Sequence, residues 1–151
     1  MKGQKWAIVP VLVGALDAAA ERRYGEVFAP FLNDPGTLFV VSSDFCHWGE
    51  RFQYQPTSSE AGDELHEFIE ELDKQGMGLI ERQDADEFQR YIDKTGNTIC
   101  GRHPIGVLLH AISFADMPLK TAFVAYAQSS HCVTESDSSV SYASAITRDA
   151  D

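Results

Sequence analysis

Along the chain, apolar and polar residues fall into blocks whose period switches between that of a helix and that of a strand. Trp6–Val13 (WAIVPVLV) is nearly continuously apolar and rich in β-branched residues, which predicts a strand buried on both faces of an α/β sheet. Pro10 counts against a central place, because proline cannot donate to the ladder. Lysines ahead of this stretch give it a superficial likeness to a secretion signal, but it is short and leads straight into a helical pattern, so the strand is preferred. Asp17 can cap the next helix, where Tyr24, Val27, Phe28, Phe31 and Leu32 recur at helical spacing. Pro30 should end or kink it. Asn33-Asp34-Pro35-Gly36 reads as a turn, and Leu38–Val41 as a second buried strand that stops at Ser42-Ser43-Asp44.

Asp44 to Pro56 (DFCHWGERFQYQP) has no clean period and reads as a loop. Thr57-Ser58-Ser59-Glu60 fits a capping box ahead of an acidic helix with Leu65, Phe68, Ile69 and Leu72 on its apolar stripe. Gly76 and Gly78 are expected to break that helix. A shorter helix follows Asp84, with Phe88, Tyr91 and Ile92 facing inward. Thr95–His103 is another loop, with His103 at the N-cap and Pro104 at the first position of a helix that turns Ile105, Leu108, Leu109 and Ile112 inward. Two closing strands are expected, Thr121–Ala127 and Ser139–Thr147. Strands alternating with helices predict an α/β fold, a mixed sheet flanked by helices, in a single domain over residues 1–151.

Composition narrows the function. The chain has 151 residues, 44% hydrophobic and 23% charged, which suits one globular domain with a real core. Acidic residues outnumber basic ones 23 to 12, and the net charge of −11 repels phosphate backbones and anionic lipid. No nucleic-acid partner is therefore expected. No apolar run approaches the roughly 18–20 residues that span a bilayer, so no membrane insertion is expected either. Three cysteines without paired spacing argue against a disulfide scaffold. These features together predict a soluble, intracellular chain.

Three chemically loaded segments fall at the ends of predicted elements, where open α/β sheets gather ligands: Ser42–Gly49, Asn97–Pro104 and Gln128–Cys132. Asp44 and His47 lie three residues apart in a loop, close enough to converge. A carboxylate beside an imidazole can serve as base and orienter, as two metal ligands, or simply as a turn cap with a hydrogen-bonded neighbour. Cys100 lies ahead of a helix N-terminus, which would favour its thiolate, a nucleophile and soft ligand; a small buried hydrophobe is the competing reading. For Cys46 and Cys132 packing is favoured, and for His66 and His110 a surface or groove position. There is no Gly-x-Ser-x-Gly elbow, phosphate loop or His-Glu-x-x-His motif, and Gly76-Met77-Gly78 lacks the third glycine of a dinucleotide fingerprint.

The segments VPVLVGAL (Val9–Leu16), LFVVSSDFCHWGERF (Leu38–Phe52), NTICGRHPIGVLL (Asn97–Leu109), YAQSS (Tyr126–Ser130) and DSSVSYA (Asp137–Ala143) resemble, in order, the Memo family of mediators of receptor-tyrosine-kinase-driven cell motility. The resemblance covers nearly the whole chain. It implies a fold similar to the class III extradiol ring-cleavage dioxygenases (LigB-like), with a pocket of histidines, an aspartate and a cysteine. The matching positions here are Asp44, His47 and Cys100 as metal ligands. It further implies copper or iron as the bound metal, redox activity, a cytoplasmic location, and a part in cytoskeletal and migration signalling. Family chains are longer, and the part with no counterpart here supplies further pocket histidines. The resemblance thus implies a chain truncated at the N-terminus, with Trp6–Val13 internal to the family's sheet.

Two functions follow as expectations. One is a metal-binding redox and signalling protein using Asp44, His47 and Cys100. The other is a non-catalytic module that holds a phosphotyrosine peptide of a signalling partner with His47, Arg51, Arg102 and His103, the donors near the pocket. Active ring cleavage ranks last, because a cysteine stands where those enzymes use another ligand type.

Overall fold

The first helix is built on small residues. In the structure, a computed structural model that describes residues 6–58 and 64–150, α1 (Ala18–Leu32) lays Ala20, Glu21, Gly25 and Ala29 against α4 (Arg102–Ser113). The larger Tyr24, Val27 and Phe31, expected to face the core, are exposed. Asp17 caps the helix as anticipated, accepting from the Ala20 amide at 2.7 Å. The helix runs two residues past Pro30 and ends in the expected turn, held by the Asp34 carboxylate on the Gly36 amide and the Thr37 hydroxyl.

The middle of the chain supplies two more helices. The described part of α2 is Leu65–Glu81, and Ser59 and Glu60 of the expected capping box lie outside the described residues. Contrary to expectation, α2 continues through Gly76 and Gly78. Gly76 is there for packing: a Cβ at that position would lie 2.9 Å from the Tyr91 ring of α3 (Ala85–Thr95). Asp84 caps α3 through the Glu87 amide, and Gly96 closes it in the left-handed conformation at φ 63°. Helix α4 begins two residues earlier than the proline rule placed it. Gly101 is the N-cap, so His103 and Pro104 are its second and third residues.

Three antiparallel strands form the sheet, in the order β1-β3-β2, from β1 (His47–Trp48), β2 (Leu119–Gln128) and β3 (Ser139–Asp149). Among the described residues the fold is thus mixed α/β with an antiparallel sheet. A register shift between Phe123 and Ala125 flips the inward set of β2 from Thr121 and Phe123 to Tyr126 and Gln128. On β3 the small Ser139, Ser141 and Ala143 face the helices, and Tyr142 and Ile146 face out.

Neither apolar run expected as a buried strand is one. Trp6–Val13 pairs with nothing among the described residues, and Leu12 is 99% exposed. In Leu38–Val41, Phe39 and Val41 are half-buried, with Phe39 edge-on to Phe28 of α1, whereas Leu38 and Val40 are more than four-fifths exposed. The composition is that of a strand, but no described strand lies beside either run to receive its backbone bonds.

The core gathers Phe45, Trp48, Ile69, Leu72, Phe88, Ile99 and Leu109 with their neighbours around one buried carboxylate. Asp73 of α2 is fully buried, and its Oδ1 accepts from the Cys46 amide (3.1 Å) and from Asn97 Nδ2 (3.0 Å). Its Oδ2 accepts from the Tyr126 hydroxyl at 3.0 Å. Asn97 Nδ2 also donates to the Tyr91 hydroxyl, which in turn donates to the Leu72 carbonyl, each at 2.7 Å. Burial raises the Asp73 pKa despite these donors. The folded state therefore holds the Asp73 proton to higher pH than the unfolded chain does, so this group's contribution is full below the unfolded value of about 4 and is lost as pH rises through the folded one. Asp73→Asn should flatten this part of the pH profile. In urea titrations from pH 4 to 8, stability of the variant relative to the parent should rise with pH; parallel profiles would show that Asp73 does not titrate inside the fold.

Candidate metal centre

Cys46 and Asn97, both bonded to Asp73, each sit one residue from the candidate site. On one strand of backbone Cys46 is followed by His47; on the other Asn97 is followed by Thr98. The Thr98 hydroxyl accepts from the His47 amide at 2.7 Å and donates to the His47 carbonyl at 3.1 Å. The Thr98 carbonyl lies 3.0 Å from His47 Nδ1. A carbonyl only accepts, so Nδ1 carries the proton and Nε2 keeps its lone pair.

A second clasp joins Asp44 to Cys100. The Cys100 amide donates to the Asp44 carbonyl at 3.3 Å, and the Asp44 amide donates to Cys100 Sγ at 3.1 Å. Ser43 supports both sides, donating from its hydroxyl to the Asp44 carbonyl (2.8 Å) and accepting from the Gly101 amide (2.9 Å). Gly101 makes that approach possible, since a Cβ there would come within 2.8 Å of the Ser42 carbonyl oxygen. With the backbone held this way, one ligand atom each from Asp44, His47 and Cys100 lies within 4.8 Å of the other two.

Imidazole, carboxylate and thiolate are all metal-ligating groups, and an N–H pointing at sulfur suits a thiolate ligand. The Thr98 carbonyl on Nδ1 is the outer-shell partner that metal-bound histidines ordinarily have. The residues present fit a transition-metal ion. The side chains are half-buried at Asp44 and His47 and exposed at Cys100, so the cluster opens to solvent.

The four residues assigned to a peptide are less united. Arg51 is exposed, its guanidinium 4.4 Å above the Phe52 ring, and that ring stands edge-on to His47 at 5.3 Å. Arg102 is exposed at the start of α4. The His103 Nδ1 is engaged by the buried Glu21 of α1 at 2.6 Å. Cys46 and Cys132 are fully buried in the core, and burial raises both thiol pKa values. His110, expected at the surface or in a groove, is buried on α4 opposite Gly25 and lines a groove with Arg22, Arg82 and Ser113.

A profile of the Memo-like protein family matches residues 2–146. The chain belongs to the Memo family. It is 52% identical over 142 residues to Protein MEMO1 of Homo sapiens and to that of Rattus norvegicus, across 92% of this chain and 48% of each relative. Protein memo-1 homolog of Caenorhabditis elegans is 43% identical over 150 residues, across 97% of this chain and 43% of the relative. The chain spans about half the length of the curated relatives it matches.

Sequence reasoning passed over Asp73, and it placed Asn97 and Thr98 in a chemically loaded segment without giving either a role. A signal for Asp73 was present: it falls four residues after Ile69 and seven before Ile80, on the apolar stripe of a helix whose other carboxylates lie off it. Thr98→Val removes the hydroxyl that bridges both backbone groups of His47. We expect a loss of about 1–3 kcal/mol from the unpartnered amide, read by urea denaturation. An unchanged midpoint would mean that water replaces the hydroxyl without cost.

Proposed function

We propose that this Memo-family chain is a metal-binding redox and signalling protein whose ion is held by Asp44, His47 and Cys100. The observation that carries the reading is the convergence of three different ligand types within 4.8 Å, with the His47 tautomer set by the Thr98 carbonyl. The thiolate draws the choice toward Cu(I), and the imidazole–carboxylate pair toward iron; either ion would supply one-electron chemistry when bound. His47 would present Nε2, Cys100 its sulfur, and Asp44 a carboxylate oxygen. Further ligands come from outside these three residues, from water or from the part of family-length chains that has no counterpart here. The links to cell motility and the cytoskeleton, and a cytoplasmic location, come to the proposal from the family resemblance; among the described residues no helix is long and apolar enough to cross a membrane.

The test is metal content after loading with Cu(I) or Fe(II) under reducing conditions. Cys100→Ala and His47→Ala should each lose most of the ion that the parent retains. If both variants retain as much as the parent, the site is elsewhere.

One observation favours the second reading, a phosphotyrosine-peptide module. Arg51 and His47 flank the same Phe52 ring, so a cation and an imidazole border one aromatic surface beside the pocket. Titration with a phosphotyrosine peptide and its unphosphorylated twin should then show tighter binding of the former, weakened in Arg51→Ala. Equal affinities would remove phosphate recognition.

A further inference from the structure

Away from the Asp44 cluster, two more imidazoles meet. His66, the second residue of α2, and His131, which follows β2, bring their ring centroids to 3.4 Å with the planes 41° apart. Their backbones are tied together. Gln128, the last residue of β2, donates from Nε2 to the His66 carbonyl at 2.9 Å, which clips the start of α2 to the strand end three residues before His131. His66 Nδ1 is buried and lacks a hydrogen-bond partner, a state that costs about 1–3 kcal/mol for a polar group. His131 is exposed. In the following turn Asp137 accepts from the Val133 and Thr134 amides and the Thr134 hydroxyl, and the groups brought together here are the two imidazoles.

We propose that His66 and His131 form a second, separate site for a divalent ion of the zinc class, with water in the remaining positions. Imidazole nitrogens suit Zn²⁺, Cu²⁺ and Ni²⁺, and a net charge of −11 favours a cation at the surface. Rings in face contact lie too close for both nitrogens to reach one ion at about 2.0–2.1 Å with a tetrahedral angle between them. The exposed His131 ring therefore turns outward about its Cα–Cβ bond, while His66 stays on its helix. That rotation uncovers His66 Nδ1, and the ion becomes the partner it lacks.

Calorimetric titration with Zn²⁺ alone tests this in the full chain carrying His47→Ala and Cys100→Ala, which disables the first cluster. One Zn²⁺ should still bind, and adding His131→Gln should weaken it roughly tenfold or more. No Zn²⁺ bound, or binding indifferent to His131→Gln, overturns the proposal; in the latter case acidic surface residues hold the ion. Histidine ring resonances of the unmodified chain give a readout that does not depend on the variants folding. Zn²⁺ should shift the His66 and His131 rings together, and a titration that moves neither also overturns it.

Discussion

A carboxylate without solvent can stay in a protein core only if donors surround it, and the arrangement around Asp73 follows from that requirement. Its donors come from the segment before β1, from the connection between α3 and α4, and from β2. None of these is close to Asp73 in sequence, so the carboxylate is satisfied only when all arrive together. Loss of one donor leaves the charge partly unpaired, and the cost of that is larger than the net value of any single bond. The network is therefore a condition for assembly as much as a source of stability. It selects the one packing in which α2, α3 and the β2–β3 hairpin meet at the same point.

The candidate metal centre inherits its geometry from this point. Cys46 and Asn97 are fixed by Asp73, and the next residues along each segment, His47 and Thr98, then face each other at hydrogen-bond distance. Two residues further on, Cys100 closes on Asp44 through its amide on the Asp44 carbonyl and its sulfur on the Asp44 amide. The backbones of all three ligand-bearing residues are thus anchored, and the Thr98 carbonyl on His47 Nδ1 and the Asp44 amide on Cys100 Sγ orient two of the side chains as well. The imidazole Nε2, the carboxylate and the sulfur remain available while their Cα positions are fixed. Pre-arranged donors of this kind bind an ion with less ordering cost than donors on free loops.

Much of this was legible in the sequence wherever the signal was local. Asp84 marks the start of α3, and the strands β2 and β3 follow from their composition. Asp44, His47 and Cys100 stood out singly in two loops more than fifty residues apart, each with an unusual chemical load between regular elements, and the family resemblance joined them into one site. What was not legible depended on neighbours. The large apolar residues of α1 suggested its inward face, yet the contact with α4 is close enough to demand Ala20, Gly25 and Ala29 instead. Gly76 looked like a helix breaker because propensity weighs only the helix, whereas the Tyr91 ring pressed against it decides the residue. The bulge in β2 moved the inward set by one residue, which no strict alternation anticipates.

Of the two apolar runs without a strand partner among the described residues, one bears directly on the site. Leu38–Val41 continues through Ser42 into Ser43, whose hydroxyl joins the Asp44 carbonyl to the Gly101 amide. Beside it runs an open groove of about 440 Å³, lined by Leu38, Phe39, Val41 and Ser43 on one side and by Leu109 and Phe123 on the other. An exposed apolar ridge with unpaired backbone is a template for another strand. A polypeptide laid along it would satisfy those backbone groups and bury Leu38 and Val40, and its path would pass within a few residues of Asp44. Whatever strand covers the ridge would therefore also run close to the proposed metal site, so the apolar surface and the Asp44 cluster share one boundary.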